Sequence, residues 1–139
     1  MDYESLKNYR NNNNPFAKLL NLVIVEIGSD HAWAEMTVSP DMLNPAGSVH
    51  GGCLFTLADA VGSAAASACG MHITTVDSNF HFLRAGLSTK KLVGKAREIK
   101  RGKTLMLYDI TIFDQGETLL AEGIFTYMAL KKPIPLDGK

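Results

Sequence analysis

The sequence is poor in cysteine and has no excess of either charge. It contains two cysteines in 139 residues, and its 14 Lys and Arg residues equal its 14 Asp and Glu residues. Two cysteines are too few for the disulfide framework of a small secreted domain. A chain without net charge is not expected to bind nucleic acid over a broad basic surface. With 46% hydrophobic residues, it is long enough to bury a core as one globular domain.

We expect no signal peptide, because the first segment, MDYESLKNYR, has no apolar core. Cys53 and Cys69 fall in one predicted helix, where a rise of about 1.5 Å per residue separates them by roughly 24 Å, too far for a disulfide. Free thiols suit a reducing compartment, so we expect a cytoplasmic protein. Residues 51–70 are about long enough to span a membrane, but their Gly, Ala and Ser content and Asp59 argue against a membrane span.

The two ends of the chain are polar. Residues 1–14 include four consecutive asparagines, and residues 131–139 read KKPIPLDGK. We interpret them as a mobile lead-in and a C-terminal tail, which leaves a domain of residues 15–130. Asn14 is a suitable N-cap for a short helix with Pro15 at its first position.

One long helix and about six strands account for the remaining pattern. The helix is predicted from about Gly51 to Cys69, and Gly70 ends it. A β-hairpin precedes the helix, and strands joined by glycine turns at residues 101–103 and 114–116 follow it. This order predicts an α+β fold with the helix packed on a mostly antiparallel sheet.

The two faces of the predicted helix differ in kind. At about 100° per residue, one face is apolar and consists of Leu54, Leu57, Ala58, Val61, Ala64, Ala65 and Ala68. The other consists of small residues and one carboxylate, namely Gly52, Thr56, Asp59, Ser63 and Ala66. A solvated face would carry long charged side chains. We therefore expect a second copy of the chain to cover it, giving a homodimer with the helices near its two-fold axis.

Asp59 is the only charged residue between Gly51 and Gly70. Because aspartate is a poor helix former, it is either a structural carboxylate or a functional one, and both interpretations stay open. Gly51 and Gly52 begin the helix, where unpartnered N–H groups suit either a tight turn or the approach of a ligand oxygen. Eight residues of helix separate Gly51 from Asp59 by about 12 Å. Both can touch one carbonyl group only if a dimer supplies two antiparallel helices.

Residues 90–103 hold seven of the 14 basic residues and a single acid, Glu98. One interpretation is a solvated strand edge, where lysines discourage further pairing. The other is a docking strip for a polyanionic ligand.

The pattern Asn44-x-x-Gly47-x-x-His50-Gly51-Gly52, followed by Leu57-Ala58-Asp59, carries a family resemblance. With the later segments TTVDSNFHFLRAG, KRGKTLMLYDITIFD and LAEGIFTYM, it resembles the hotdog-fold acyl-CoA thioesterases, in the PaaI-like branch of the 4HBT superfamily. The resemblance covers about residues 16–130. It implies a hotdog domain assembled as a homodimer or, as a dimer of dimers, a homotetramer. It further implies an acyl-CoA substrate and neither metal nor cofactor.

The resemblance also implies catalytic roles. Asp59 is expected to act as general base on water or as nucleophile, and the Gly51 amide to polarise the thioester carbonyl. Asn44 and His50 match residues that support the carbonyl and the leaving-group side.

Further candidates are expected to hold the water or the substrate. Thr75 matches a hydroxyl that holds the water, and Ser63, one helical turn after Asp59, is a second candidate by spacing. The proposed substrate-binding residues are Gly52, Phe55, Phe80, Phe82, Arg84, Arg101 and Lys103. The phenylalanines either line the acyl pocket or are plain core residues, and the three basic residues suit the phosphates of coenzyme A.

Other chemistries have weaker support. His50 and Cys53 at i and i+3 suggest a cysteine nucleophile, but no third group that would orient them is evident. The histidines show no metal-ligand spacing. The main alternative is a non-catalytic acyl-CoA-binding or sensing module with the same fold, and a hydratase is a third. Asn44, Gly51 and Asp59 together favour hydrolysis, because binding alone does not need a carboxylate beside the scissile bond.

Overall fold

The computed structural model describes residues 1–136 and has one antiparallel sheet packed around a long helix. The six strands are β1 (Leu22–Ile27), β2 (His31–Thr37), β3 (Met71–Phe82), β4 (Lys91–Arg101), β5 (Leu105–Asp114) and β6 (Leu119–Pro133). They are ordered β1-β2-β4-β5-β6-β3, and every neighbouring pair is antiparallel. The predicted α+β fold is therefore confirmed.

Within residues 1–136 three α-helices accompany the sheet: α1 (Tyr3–Asn12), α2 (Pro15–Leu19) and α3 (Gly51–Ala66). A 3-10 turn, Ser67–Cys69, extends α3, and Gly70 ends it with a φ of 88°, a left-handed conformation that favours glycine. The predicted limits of the long helix are thus confirmed. The predicted cap of the short helix is also confirmed, because the Asn14 side chain accepts a hydrogen bond from the Ala17 N–H.

Helix α3 lies against one face of the sheet and contacts all six strands. Its predicted apolar face is buried throughout, with no member more than 8% exposed. The segment Gly51–Cys69 is also long and apolar enough to cross a membrane, but 67% of its most apolar window is buried inside the fold. Burial of this kind is what a core helix requires.

The N-terminal segment differs from the expected lead-in, because Tyr3–Asn12 form α1. Asp2 caps this helix by accepting from the Ser5 N–H, and Leu6 is fully buried. Asn11 is bonded to β1 in both directions, since its Nδ2 donates to the Ile24 carbonyl at 2.9 Å and its Oδ1 accepts from the Ile24 N–H at 2.8 Å. The segment is therefore part of the packed domain.

The C-terminal segment also continues the fold beyond residue 130. Strand β6 runs to Pro133, and Ile134 is buried while its N–H donates to the Gly70 carbonyl at 2.9 Å. The rest of the expected tail, residues 137–139, lies outside the described residues.

The basic segment forms β4, which lies between β2 and β5. This position corrects the interpretation of the segment as a strand edge. Acidic side chains on the adjacent strands pair with two of its cations. Lys91 Nζ lies 3.4 Å from Glu35 Oε1, and Arg97 Nη2 lies 3.3 Å from Asp109 Oδ2. Two of the seven cations in residues 90–103 thus pair with acids that are distant in sequence.

Candidate active site

The start of α3 presents a free backbone donor. His50 is the N-cap, and its Nδ1 accepts from the Gly52 N–H at 2.8 Å. In residues 1–136 the Gly51 N–H has no acceptor. First-turn amides carry the positive end of the helix dipole, so the Gly51 N–H is available to an incoming oxygen.

The cap also determines which tautomer the neutral form of the exposed His50 ring adopts. A nitrogen that accepts from a backbone N–H carries no proton, so the proton of the neutral ring is on Nε2. His50 therefore combines a structural role at Nδ1 with a free donor at Nε2.

Asn44 organises the loop that leads into α3. Its Oδ1 accepts from the N–H groups of Ala46 at 3.0 Å and Ser48 at 3.1 Å, and its Nδ2 donates to the Ser48 hydroxyl at 2.8 Å. Gly47 completes the turn with a φ of 85°, which glycine adopts without strain. The amide of Asn44 keeps one further N–H, so its expected contact with the substrate carbonyl stays a prediction.

The Asp59 carboxylate lies half-buried in the middle of α3, and β3 supplies its hydrogen-bond donor. The Thr75 hydroxyl donates to Asp59 Oδ1 at 2.6 Å. Thr75 is paired in register with Tyr127 of β6, and the Tyr127 hydroxyl donates to the Asp59 backbone carbonyl at 3.2 Å. Burial, with the nearby charge of Asp59, raises the pKa of Tyr127 well above its usual value, so this group stays a protonated donor.

Ser63 does not share this role. Its hydroxyl donates to the Ala60 carbonyl at 3.2 Å and accepts from Nη2 of Arg10 at 2.7 Å. The structure thus brings Thr75, rather than Ser63, onto the carboxylate. It also brings in Arg10, which sequence analysis missed because its segment was interpreted as a lead-in.

The three candidate phenylalanines form one aromatic cluster beside the start of α3. Phe80 is edge-to-face with both Phe55, at 5.6 Å between ring centroids, and Phe82, at 5.1 Å. Phe125, which is buried, packs against both Phe55 and Phe80. A Cβ atom added to Gly51 would lie 3.2 Å from the Phe82 ring. An apolar, partly exposed wall therefore adjoins the free N–H, and its contact with an acyl group stays a prediction.

The candidate phosphate-binding residues are dispersed. Arg101 is already bonded, through Nε to Glu98 at 2.9 Å and through Nη2 to the Ser29 carbonyl at 2.6 Å. These contacts assign it a structural role at the β1–β2 turn. Arg84 is exposed, and its Nη1 donates to the Leu119 carbonyl at 3.1 Å. Lys103 is exposed in the β4–β5 turn.

Gly51 and Asp59 do not meet within one chain. They lie on a continuous helix, where eight residues correspond to about 12 Å along the axis. One copy of the helix therefore does not bring the Gly51 N–H and the Asp59 carboxylate to a single carbonyl group, and a site shared between two copies stays a prediction. In the described part of the chain, no group of three or more His, Cys, Asp or Glu side chains is placed to hold a metal ion.

Comparisons of the sequence and of the structure with known proteins both identify thioesterases. Residues 46–121, which include Gly51 and Asp59, match the thioesterase superfamily, 4HBT. The acyl-coenzyme A thioesterase PaaI of Escherichia coli is 34% identical over 109 residues, covering 78% of each chain. The structure of the E. coli PaaI protein superposes with a TM-score of 0.85 at 29% identity, covering 93% of this chain and 99% of that one.

A further solved structure is that of a hypothetical thioesterase protein with coenzyme A from Streptococcus pneumoniae TIGR4. It superposes with a TM-score of 0.76 at 26% identity, covering 82% of this chain and 89% of that one. The family match spans more than half of the chain, and the sheet wrapped around one helix is the hotdog architecture. The chain therefore belongs to the thioesterase superfamily.

Proposed function

We propose that this protein is an acyl-CoA thioesterase, which hydrolyses an acyl- or aryl-CoA thioester to the free acid and coenzyme A. The observation that carries the proposal is that one helix presents both a Gly51 N–H without an acceptor among residues 1–136 and a carboxylate oriented by Thr75. Relatives support the substrate class, since PaaI is an acyl-coenzyme A thioesterase and the S. pneumoniae protein was solved with coenzyme A.

The complete site is proposed to need a homodimer formed along β3. This strand of 12 residues is paired with β6 on one side, and within residues 1–136 its other edge is unpaired. It exposes 53% of Val76 and 57% of Phe82. Long, partly apolar edges invite strand pairing, and a two-fold interface would cover the same edge on both copies.

Two contacts within the chain support one geometry for the proposed dimer. Thr75 lies against Asp59, and Phe82 lies against Gly51. If β3 pairs with its copy antiparallel and centred between residues 78 and 79, Thr75 comes opposite the partner's Phe82. The partner's Gly51 then approaches Asp59, which removes the separation of about 12 Å along a single helix. Association of two such dimers into a homotetramer stays a prediction.

The proposed chemistry uses one group from each copy. The Gly51 N–H donates to the thioester oxygen and stabilises the negative charge that develops there, an effect worth about 3–4 kcal/mol for a well-placed donor. The partner's Asp59 takes a proton from a water molecule while the oxygen of that water attacks the carbonyl carbon. General base catalysis of this kind typically raises the rate by about 10²–10⁴-fold. The carbon–sulfur bond breaks, and coenzyme A leaves as a thiolate on the side where His50 Nε2–H is available. These steps need no metal or cofactor.

A thiol-release assay with aryl, short-chain and medium-chain CoA thioesters tests the proposal and identifies the acyl group. We expect turnover by the wild type and, in Asp59→Ala, a loss of about 100-fold or more with the dimer intact. A non-catalytic module would bind the thioesters without releasing thiol. Full activity in Asp59→Ala would overturn the assignment of the site.

A further inference from the structure

Arg10 is a cation enclosed by the fold close to the candidate site. Its Nη2 donates to Ser63, one helical turn after Asp59. Its Nε is shielded from solvent and has no hydrogen-bond partner in the described part of the chain. Burial lowers the pKa of Arg10, whereas Tyr127 and Asp59 act in the opposite direction. An enclosed guanidinium with an unused donor destabilises a fold, so stability alone does not account for a charge here.

The Arg10 guanidinium is bonded at Ser63, one helical turn from Asp59, and does not occupy the carboxylate oxygens. Among residues 1–136 no ion pair within 4.0 Å links the two side chains. Thr75 holds Oδ1 of the carboxylate, and Oδ2 has no donor in the same residues. A cation bonded at Ser63, one helical turn from Asp59, therefore leaves Oδ2 free for a water molecule, and a positive charge at that range favours a negative one.

A cation near Asp59 is useful because the aromatic cluster of Phe55, Phe80 and Phe82 would help to exclude water from the site. An acyl group packed against Phe55 and Phe82 would exclude water from the site. A carboxylate that loses water is destabilised unless a nearby positive charge compensates it. Arg10 is already in place before substrate binds, because its bond to Ser63 is present without substrate.

We propose that Arg10 is a positioning residue, which stabilises the anionic form of Asp59 during turnover and, through Ser63, fixes the helical turn that follows it. This inference rests on the proposed thioesterase function, and it assigns Arg10 no contact with the substrate.

The test compares Arg10→Met, which removes the charge at similar size, with Arg10→Lys, which restores a charge. We expect kcat to fall at least about tenfold in Arg10→Met, with KM within about twofold of wild type and a melting temperature equal or higher. Arg10→Lys should recover kcat to within about threefold of wild type. Lys7→Met is the matched control, because Lys7 lies on the same helix and pairs with Glu4 at 2.8 Å; its kinetics should match those of the wild type.

Wild-type kcat in Arg10→Met would overturn the inference. So would equal losses of activity and melting temperature in the Met and Lys variants, because they would show that Arg10 only clamps α1 to the domain. A wild type that releases no thiol would overturn the proposed function instead. The melting temperatures would still decide the physical premise, since a lower value in Arg10→Met contradicts a charge held at the expense of stability.

Discussion

The Thr75 hydroxyl lies 2.6 Å from Oδ1 of Asp59 and donates a hydrogen bond to it. Thr75 is on the edge strand β3 and Asp59 is in the middle of α3, so one bond joins the proposed dimer edge to the proposed base. Displacement of β3 therefore moves or releases the carboxylate. This coupling explains why catalysis and dimer formation are expected to depend on the same strand.

Replacing Thr75 by valine tests this bond. Valine has nearly the shape of threonine and suits a strand, but it cannot donate to Asp59. A hydrogen bond to a charged group contributes about 1.5–3 kcal/mol, so we expect kcat in the thiol-release assay to fall about tenfold or more. Thr75→Ser keeps the hydroxyl and should retain most of the activity. Equal activity in the valine and wild-type proteins would show that the bond has no part in turnover.

Replacing Gly51 by proline removes the proposed carbonyl donor and little else. Proline is tolerated at the first helical position because the N–H there has no partner within the helix. The matched control is Gly51→Ala, which places a Cβ atom at the same 3.2 Å from the Phe82 ring but keeps the N–H. We expect Gly51→Pro to lose about 10²–10³-fold in kcat beyond any loss in Gly51→Ala. Similar rates in the two variants would assign the loss to crowding by Phe82.

His50 should separate stability from activity. In His50→Ala the Gly52 N–H loses its cap, and loss of an N-cap typically costs about 1 kcal/mol of unfolding free energy. His50→Asn can restore the cap but not the Nε2–H. Thermal melting should therefore show a loss only in the alanine variant, while thiol release should be lowered in both. An asparagine variant with full activity would remove His50 Nε2 from the proposed leaving-group side.

His31 makes the stability of the domain depend on pH. Its Nδ1 lies 2.9 Å from Asp30 and its Nε2 lies 2.7 Å from Glu26, and these two contacts raise the pKa of His31. A raised pKa in the folded state stabilises the fold below the ordinary value of about 6.5, and that contribution is lost as the pH rises through the folded value. Lowering the pH from about 8.5 to about 6 should therefore raise the melting temperature more in the wild type than in His31→Gln. Equal pH dependence in the two proteins would contradict this account.

The sequence predicts those features of the fold that repeat along one element. The apolar face of α3 is predictable because Leu57 and Val61 recur at helical spacing, and both are fully buried. Asn14 followed by Pro15 marks a helix start because the cap needs only local contacts. The family resemblance made Thr75 a candidate, and in the structure its hydroxyl donates to Asp59; its expected role in holding the water stays a prediction.

Features that depend on distant partners were not predictable in the same way. Helix α1 was missed because its packed stripe is Tyr3, Leu6 and Tyr9, in which two of the three residues are tyrosines with a polar end. Asp2 at the cap and Arg10 in the last turn are a recognisable helix signature, and it could have located both α1 and Arg10. No local sequence pattern predicts the hydrogen bond between Arg10 and Ser63, which are 53 residues apart along the chain.

Pairing of the basic strip was hidden for the same reason. The partners of Arg97 and Lys91 are Asp109 and Glu35, which lie on the two strands that flank β4. The sequence shows that the cations are clustered, but only the strand order shows that acidic side chains on neighbouring strands lie beside them. Strand order depends on long-range pairing, which the alternation within a single strand does not encode.

Mixing two inactive variants tests most directly whether the reaction centre is shared between two copies of the chain. Gly51→Pro and Asp59→Ala are prepared separately, unfolded or dissociated, and recombined in equal amounts, and thiol release is measured before and after mixing. In a shared site, each mixed dimer contains one centre with both defects and one with neither, so random pairing should restore roughly a quarter of the wild-type activity. If mixed dimers form and no activity returns, each chain must supply both groups to its own site, and the proposed reaction centre is wrong.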